Sequence, residues 1–300
     1  MENVLVVGGS GLIGRSLSKL LLDNGFDVAI LSRSRNSNSS IKQYYWNPEI
    51  NEIDKEAFVN TDIIINLSGE NVGDSRWTTS RKKKILDSRV KTVELLFQKA
   101  KEYNAVPKVF ISASAVGFYG AINSAQIFSE NDSSGNDFLA EVCRAWEEKI
   151  FAFQRIGTRV VVLRTGAVLS KNGGALAKML PLAKLGISTQ LGNGKQYMPW
   201  IHIDDMCRMY LYAINHSLNG VYNAVATEHI TNKQFAELLS LTKHQKIVTP
   251  ATPDFVLKLA LGEMADMLLK GSRVSNDKIL SAGFQFQFPN LKDALREIVT

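Results

Sequence analysis

Val4-Leu5-Val6-Val7-Gly8-Gly9-Ser10-Gly11-Leu12-Ile13-Gly14 opens the chain and decides its fold. Four apolar, mostly β-branched residues read as a buried parallel strand, and the glycines behind them as a tight turn into a helix. The helix follows at once, with Leu12, Ile13, Leu17, Leu20 and Leu21 on one face and Asn24-Gly25 at its end. Strand, glycine-rich turn and helix N-terminus together make an anion site for a pyrophosphate, because free N–H groups and the helix dipole converge on one point. Gly8 permits the turn, Gly11 lets the backbone approach the phosphates, and Gly14 lets the helix pack close to the strand. Gly8, Gly9, Ser10, Gly11, Leu12, Ile13 and Gly14 are thus the first candidate cofactor-binding residues. The competing reading is a glycine-rich turn that binds nothing.

Moving outward, Asp27 to Ser32 reads as a second strand carrying Val28, Ile30 and Leu31, and it ends at Ser32-Arg33-Ser34-Arg35. In a dinucleotide fold this strand end faces the adenosine ribose. An acidic residue there accepts from the 2′-hydroxyl of NAD, whereas an arginine pairs with the 2′-phosphate of NADP. No acid stands at this position, so Ser32 and Arg33 point to NADP(H). The alternative is that Arg33 and Arg35 solvate a loop that continues through residues 36–40. Asp62 to Gly69 is another apolar strand ending in small residues, which places Asn66, Leu67, Ser68 and Gly69 along the cofactor groove. A helix from Thr78 to Tyr103, a strand from Lys108 to Ser114, a helix from Asp137 to Phe153 and a strand from Arg159 to Thr165 continue the alternation. Strands alternating with helices predict an α/β fold with a doubly wound parallel sheet.

Beyond Thr165 the alternation lapses. Helices are expected at Gly173–Leu185, Asp204–Asn215, Asn232–Leu241 and near the C-terminus, with one apolar helical stretch over Asp254–Lys270. Strands are expected at Val221–Ala224 and, rich in phenylalanine, at Phe284–Phe288. The expected division is residues 1–165 for the cofactor and 166–300 for a smaller mixed α/β substrate lid, with about 200–225 returning to the first unit.

With 300 residues, 45% of them apolar, the chain can bury a sizeable core. No apolar run approaches the roughly 20 residues that span a bilayer, and no charged-then-apolar leader precedes Val4. Cys143 and Cys207 are too few and too far apart for a disulfide scaffold, so a cytoplasmic setting is expected. The net charge of +6 gathers partly in Arg81-Lys82-Lys83-Lys84, which reads as a solvated helix face, with no aromatic platform or recognition helix beside it. A small molecule is therefore the expected partner, with neither nucleic acid nor membrane, and a basic surface suits an anionic one. The histidines at 202, 216, 229 and 244 lack metal-ligand spacing, and no metal is expected.

Taken together, GGSGLIG, DIIINLSG, ISASAVGFYG and LRTG resemble an extended short-chain dehydrogenase/reductase. NLSGENVGDSRWTTSRKKKILDSRV, FLAEVCRAWE, MPWIHIDDM and GEMADMLLKGSRVSNDKILSAGF narrow the resemblance to the atypical, sugar-nucleotide-epimerase-like subgroup with a C-terminal domain of unknown function. The match runs from Val4 to about Arg296. It implies a Rossmann sheet and an NADP(H)-dependent oxidoreductase or epimerase acting on a carbonyl or sugar-nucleotide-like substrate.

Members of the family work through a Ser, a Tyr that transfers the proton, and a Lys that lowers the tyrosine pKa and holds the nicotinamide ribose. Ser114 matches the Ser. Aligning Glu147 with the acidic residue usual behind the Tyr-x-x-x-Lys motif puts Leu139 where Tyr belongs and Cys143 where Lys belongs. This departure motivates a second reading, a non-catalytic NADPH-binding sensor. For catalysis, Tyr119 is the candidate replacement proton donor beside Ser114, with Arg144, or a lysine that the sequence does not place, as the group that would lower its pKa; otherwise it is a flap residue. Arg76 and Trp77 are candidates for clamping a substrate or, for Trp77, closing a loop over the sheet, and Trp200 is a candidate lining residue. Cys143 reads as core, and His202 with Asp205, the family's H-x-x-D, as a structural pair.

Overall fold

In the computed structural model, which describes residues 1–34, 41–184, 187–241, 247–248 and 251–299, an eight-stranded sheet runs through the molecule. In chain order its first half comprises β1 (Asn3–Val7), α1 (Leu12–Asp23), β2 (Asp27–Ser32), β3 (Lys42–Asn47), β4 (Glu52–Ile53), α2 (Glu56–Val59), β5 (Ile63–Asn66), α3 (Thr79–Glu102), β6 (Val109–Ala115), β7 (Ile127–Phe128), α4 (Phe138–Phe151) and β8 (Arg159–Thr165). The second half adds β9 (Ala167–Leu169), α5 (Gly174–Lys184), β10 (Ile187–Ser188), β11 (Trp200–His202), α6 (Ile203–Asn215), β12 (Gly220–Ala224), α7 (Asn232–Leu241), β13 (Ile247–Val248), α8 (Asp254–Leu261), α9 (Asp266–Leu269), β14 (Arg273–Val274), α10 (Asp277–Ser281) and α11 (Leu291–Val299).

The sheet order is β12-β8-β6-β5-β1-β2-β3-β4, parallel throughout except for the β3–β4 pair. Because side chains alternate along a strand, each buried strand feeds two cores. Val4 and Val6 of β1 join Ile63 and Ile65 of β5 under α1 and α6, while Leu5, Val7 and Ile64 face α3 and α4 with Val93, Leu96 and Trp146. Helices on both faces make the sheet doubly wound. Strand order reverses at β1 and β5, and a crevice at the carboxyl ends of strands is the usual ligand site of such a sheet. Residues Gly220–Ala224 pair with β8, and α6 packs on α1, so the chain re-enters the sheet layer after β11.

Three expectations change. Lys42–Asn47 and Glu52–Ile53, not foreseen as strands, extend the sheet edge, with Trp46 buried and Lys42, Gln43, Tyr44 and Tyr45 at least partly open. The stretch Asp254–Lys270 is two helices and a short 3-10 turn rather than one helix, interrupted at Gly262, whose φ of +62° no helix accommodates. Phe284–Phe288 keeps its two-residue alternation but is not a strand. Phe284 and Phe288 are buried, and the Gln287 and Phe288 N–H groups donate to the Asp205 carboxylate at 2.8 Å each instead of to a neighbouring strand. Arg35, residues 36–40, Leu185 and His244 lie outside the described residues.

The tightest joint is between strand and helix. A Cβ on Gly14 would lie 2.4 Å from the Gly8 carbonyl oxygen and 2.6 Å from Gly9 Cα, both backbone atoms that cannot swing away. Gly14→Ala is therefore expected to destabilise the protein by about 1–3 kcal/mol or more, the cost of overpacking a rigid contact. Urea denaturation measures it, and a loss below about 0.5 kcal/mol would mean that α1 can shift.

Candidate functional site

Gly8 turns the chain out of β1 with φ at +84°, and a Cβ there would sit 3.0 Å from the Leu67 carbonyl carbon, so the carboxyl ends of β1 and β5 nearly touch. Helix α1 then begins at Gly11 with no side-chain cap and no acidic residue in its first turn. Leu12 and Ile13 send their side chains into the core under α1, which leaves their backbone N–H groups for an anion. A Cβ on Gly11 would meet only the Gly8 oxygen, at 3.2 Å, so that face of the turn is open to a close-fitting group. Arg15 steadies the turn by donating to the Ser10 carbonyl at 2.6 Å. The site fits a pyrophosphate on each of these counts.

A cavity of about 1020 Å³ opens over the ends of β2, β1 and β5. Of the residues expected at a cofactor, Gly8, Ser10, Gly11, Ser32, Arg33, Leu67, Ser68 and Gly69 line it. Gly9, Leu12, Ile13, Gly14 and Asn66 stand behind that lining. Gly9 backs onto Ile30, where a Cβ would come within 2.4 Å of Cγ2. Asn66 is fully buried: its amide donates to Ser112 Oγ at 3.1 Å, and its oxygen accepts from the Ser68 hydroxyl at 2.6 Å and N–H at 3.2 Å. It shapes the groove by holding Ser68. Ser32 closes a local turn with Ser34, and the exposed Arg33 stands at the mouth.

Two walls of the cavity escaped the sequence reading. One is the β3–β4 hairpin, with Trp46, Pro48, Glu49 and Asn51; the aromatic run Tyr44-Tyr45-Trp46, a residue type enriched in strands, was its signal. The other is α3, whose Lys84 and Lys91 turn the basic run toward the groove, paired with Glu70 at 3.2 Å and Asp87 at 2.9 Å.

At the ends of β6 and β8 lies a buried polar chain. Ser114 Oγ donates to Glu147 Oε1 at 2.7 Å. Arg164 holds the same carboxylate with two N–H groups, Nε to Oε1 at 2.9 Å and Nη2 to Oε2 at 2.8 Å. Its Nη1 donates to the Tyr119 hydroxyl at 3.0 Å, and that hydroxyl donates to Asn223 Oδ1 at 2.7 Å. Asn223 in turn donates to the Ser275 carbonyl at 2.9 Å. The guanidinium of Arg164 also lies 3.4 Å from the centre of the Phe118 ring.

This arrangement corrects the expectation for Tyr119. Arg164, not Arg144, is the cation beside it, while the Arg144 side chain points to Ser134. Tyr119 is 2% exposed, its hydrogen is committed to Asn223, and burial pushes its pKa up to about 12 despite Arg164. A proton donor has to present its hydroxyl; this one is enclosed. Leu139 and Cys143 flank Gly117, 3.3 and 3.9 Å from where its Cβ would be, and burial raises the Cys143 thiol to about 12. The thiol is held protonated and is no nucleophile.

Trp77 donates to the Val72 carbonyl at 2.9 Å and packs edge-on against Phe138, with ring centres 5.1 Å apart, so it closes its own loop. Arg76 is exposed and lies against Gly262. Trp200 is corrected to core: it is 1% exposed, among Leu169, Leu176 and Phe235. His202 accepts the Asp204 N–H on Nδ1 at 3.2 Å, which leaves Nε2 to donate to Glu297 at 3.0 Å. With Asp205 holding Gln287 and Phe288, the pair anchors the C-terminal segment. Among the described residues, His202, Asp204 and Glu297 offer ligand atoms within 4.8 Å of one another, but both acids are exposed and the ring nitrogens already engaged.

Two outcomes follow from the buried chain. Glu147→Gln strands the Arg164 charge and is expected to cost about 3–5 kcal/mol in urea denaturation, most of it recovered when Arg164→Met is added. A loss below about 1 kcal/mol would show that the pair does not carry the site. Burial raises Tyr119, Cys143 and Cys207 to about 12 from ordinary values of 10.0 for the phenol and 9.0 for the thiols. The unfolded chain releases these protons first, so their contribution is complete below about pH 9 and lost as the pH climbs toward 12. Calorimetric Tm should hold from pH 7 to about 8.5 and fall above it; a flat profile to pH 11 refutes the assignment.

Comparison with known proteins bears on the family and the fold. The family model described as the NAD dependent epimerase/dehydratase family matches residues 4–225, and a domain of unknown function matches residues 252–298. An epimerase family protein of Mycobacterium leprae is 38% identical, over 99% of this chain and 95% of its own length. A chloroplastic epimerase family protein of Arabidopsis thaliana is 35% identical, over 99% of this chain and 86% of that one. The crystal structure of human epimerase family protein SDR39U1 with NADPH superposes with a TM-score of 0.88 at 32% identity, covering 99% of both chains. A UDP-glucose 4-epimerase of Thermotoga maritima, at 19% identity and a TM-score of 0.77 over 99% of this chain and 97% of its own, shares the fold. The chain belongs to the NAD dependent epimerase/dehydratase family, the extended short-chain dehydrogenases/reductases, and carries that C-terminal domain of unknown function behind the family fold.

Proposed function

We propose that the chain binds NADP(H) across the ends of β2, β1 and β5 and uses it as an oxidoreductase or epimerase on a carbonyl or sugar-nucleotide-like substrate. The observation that carries this reading is the uncapped α1 N-terminus, opening through Gly8 and Gly11 into a cavity that Arg33 borders at one end. The human relative crystallised with NADPH supports the same cofactor. Gly8 to Gly14 take the pyrophosphate through backbone N–H groups, Ser32 and Arg33 the 2′-phosphate, and Asn66 to Gly69 the middle of the groove. When bound, the cofactor supplies or accepts the hydride. Residues 1–165 and 200–225 form the cofactor unit, and the remainder, with Arg76 lying against it at Gly262, bounds the substrate.

Ser114 is the reacting-end residue. It is 4% exposed and its hydrogen is held by Glu147, so only its lone pairs remain, and they accept from the hydroxyl of the alcohol form of the substrate rather than donating to a carbonyl. Tyr119 acts through Arg164, keeping the guanidinium on Glu147. A second reading, an NADPH-binding sensor without hydride transfer, draws on Leu139 and Cys143 packed at Gly117 and on the enclosed Tyr119 hydroxyl.

Calorimetry tests the cofactor. NADPH should bind roughly tenfold to a hundredfold more tightly than NADH, a gap that Arg33→Ala closes, as expected for a charge-assisted hydrogen bond. Equal wild-type affinities would sink the 2′-phosphate assignment. Steady NADPH oxidation with one of a panel of carbonyl compounds, reduced at least tenfold by Ser114→Ala, would establish the enzyme; tight binding with no turnover on any of them favours the sensor.

A further inference from the structure

Helix α8 turns an apolar face to solvent. Six of its eight residues are apolar, yet none is buried. Leu257 and Leu261, four apart, are half-buried, whereas Phe255 and Leu259, also four apart, stand 70% and 78% exposed. Val256 beside them is exposed as well. Single exposed apolar residues are ordinary on a protein surface; a stripe of them along the outer side of a helix marks a place of contact.

The stripe ends at a cation. Positions 255, 259 and 262 fall within about 60° of one another around a helix of 3.6 residues per turn. Gly262 closes α8, and Arg76 Nη2 and Nε lie 3.2 and 3.4 Å from where its Cβ would be, so the guanidinium rests in the room that the glycine leaves. Arg76 is exposed and pairs with no acid among the described residues. The acids beside this point in the chain are held by other groups: Glu263 by Lys82 at 2.5 Å, and Asp74 by Asn71 at 2.7 Å with Lys178 at 3.6 Å. Arg76 belongs to the segment that joins β5 to α3, whose first residues, Gly69, Glu70 and Asn71, line the cavity over the strand ends. One short segment thus runs from that cavity to the end of the stripe.

Size and charge say what covers such a surface. A stable dimer buries about 800 Å² on each side, whereas three side chains at these exposures offer roughly 300 Å². From Phe255 to Gly262 the helix rises about 10 Å, the reach of a medium-length alkyl chain. Benzyl and isobutyl side chains offer sugar hydroxyls no partner. A guanidinium holds a carboxylate through two parallel N–H bonds, and one cation balances the single charge of a carboxylate better than the nearly double charge of a phosphate monoester. We propose that Arg76 and the outward stripe of α8 bind a small amphiphilic carboxylate, its apolar body along Leu259 and Phe255 and its head on Arg76, and that the lid receives a carbonyl substrate of this class. The inference rests on the reading above that the lid bounds the substrate.

Calorimetry without cofactor tests it with octanoate, octanol and acetate. Octanoate should bind at least about tenfold more tightly than either of the others. Arg76→Gln should remove most of its advantage over octanol, and Leu259→Ser should weaken octanoate about threefold to tenfold. No octanoate binding, or an affinity that either substitution leaves unchanged, overturns the proposal. So does UDP-glucose binding that is tighter than octanoate and is lost in Arg76→Gln, which would give the cation to a nucleotide. Two other occupants are read with the same proteins by sedimentation: a dimer that Leu259→Ser dissociates, or attachment to phosphatidylglycerol vesicles that Leu259→Ser abolishes, would each overturn it. Both side chains are exposed, and circular dichroism checks that the variants are folded; should Leu259→Ser fail to fold, Phe255→Ser takes its place. NADPH binding without octanoate binding refutes this inference alone, and octanoate binding without NADPH binding refutes the cofactor reading alone.

Discussion

Everything at the groove depends on how closely α1 approaches β1. The Gly14 backbone rests on Gly8 and Gly9 at a distance that excludes even a methyl group, and Gly9 is pressed against Ile30 in the same way. That contact aims the helix N-terminus at the space between β1 and β5 and leaves its first N–H groups without a protein partner. A side chain at position 14 would tilt the helix away, and the dipole would no longer point into the crevice. The two cores on either side of the sheet then hold the turn rigid, since every residue from Val4 to Val7 is buried on one face or the other.

A second constraint ties the reacting end to the rest of the chain. The Glu147–Arg164 pair joins α4 to β8, Ser114 adds β6, and Tyr119 with Asn223 adds β12 and, through the Ser275 carbonyl, the C-terminal segment. Low dielectric makes such a chain strong when complete and costly when broken. Its members satisfy one another so fully that the hydroxyls of Ser114 and Tyr119 act first as structure. Leu139 and Cys143 pack beside this chain against Gly117.

The C-terminal segment is held by side chains more than by backbone pairing. Asp205 meets two consecutive N–H groups at Gln287 and Phe288, His202 reaches Glu297, and Lys82 bridges from α3 to Glu263 at 2.5 Å. These links cross between the sheet unit and the tail at several points. The tail thus packs on the sheet unit without contributing strands to the central sheet beyond β12, and the cavity is lined by residues between Gly8 and Gln98.

The residues by themselves determined the sheet unit: alternation of buried strands with one-faced helices, the glycine spacing, the absence of an acid after β2 and the resemblance of ordered segments are all local, and local patterns survive in one dimension. The edge pair Lys42–Asn47 and Glu52–Ile53 shows no alternation, only the aromatic run Tyr44-Tyr45-Trp46 among polar residues that dilute the strand signal. The Phe284–Phe288 segment shows the limit from the other side, since its period of two is genuine yet its N–H groups find a carboxylate instead of a strand. Tertiary structure alone decided the partners at the site. It put Arg164 and not Arg144 on Tyr119, moved Trp200 into the core and turned the basic run of α3 toward the cavity. Each of these is a question of which charge or ring lies within a few ångströms of another, across dozens of residues of chain, and spacing in sequence carries no record of that distance.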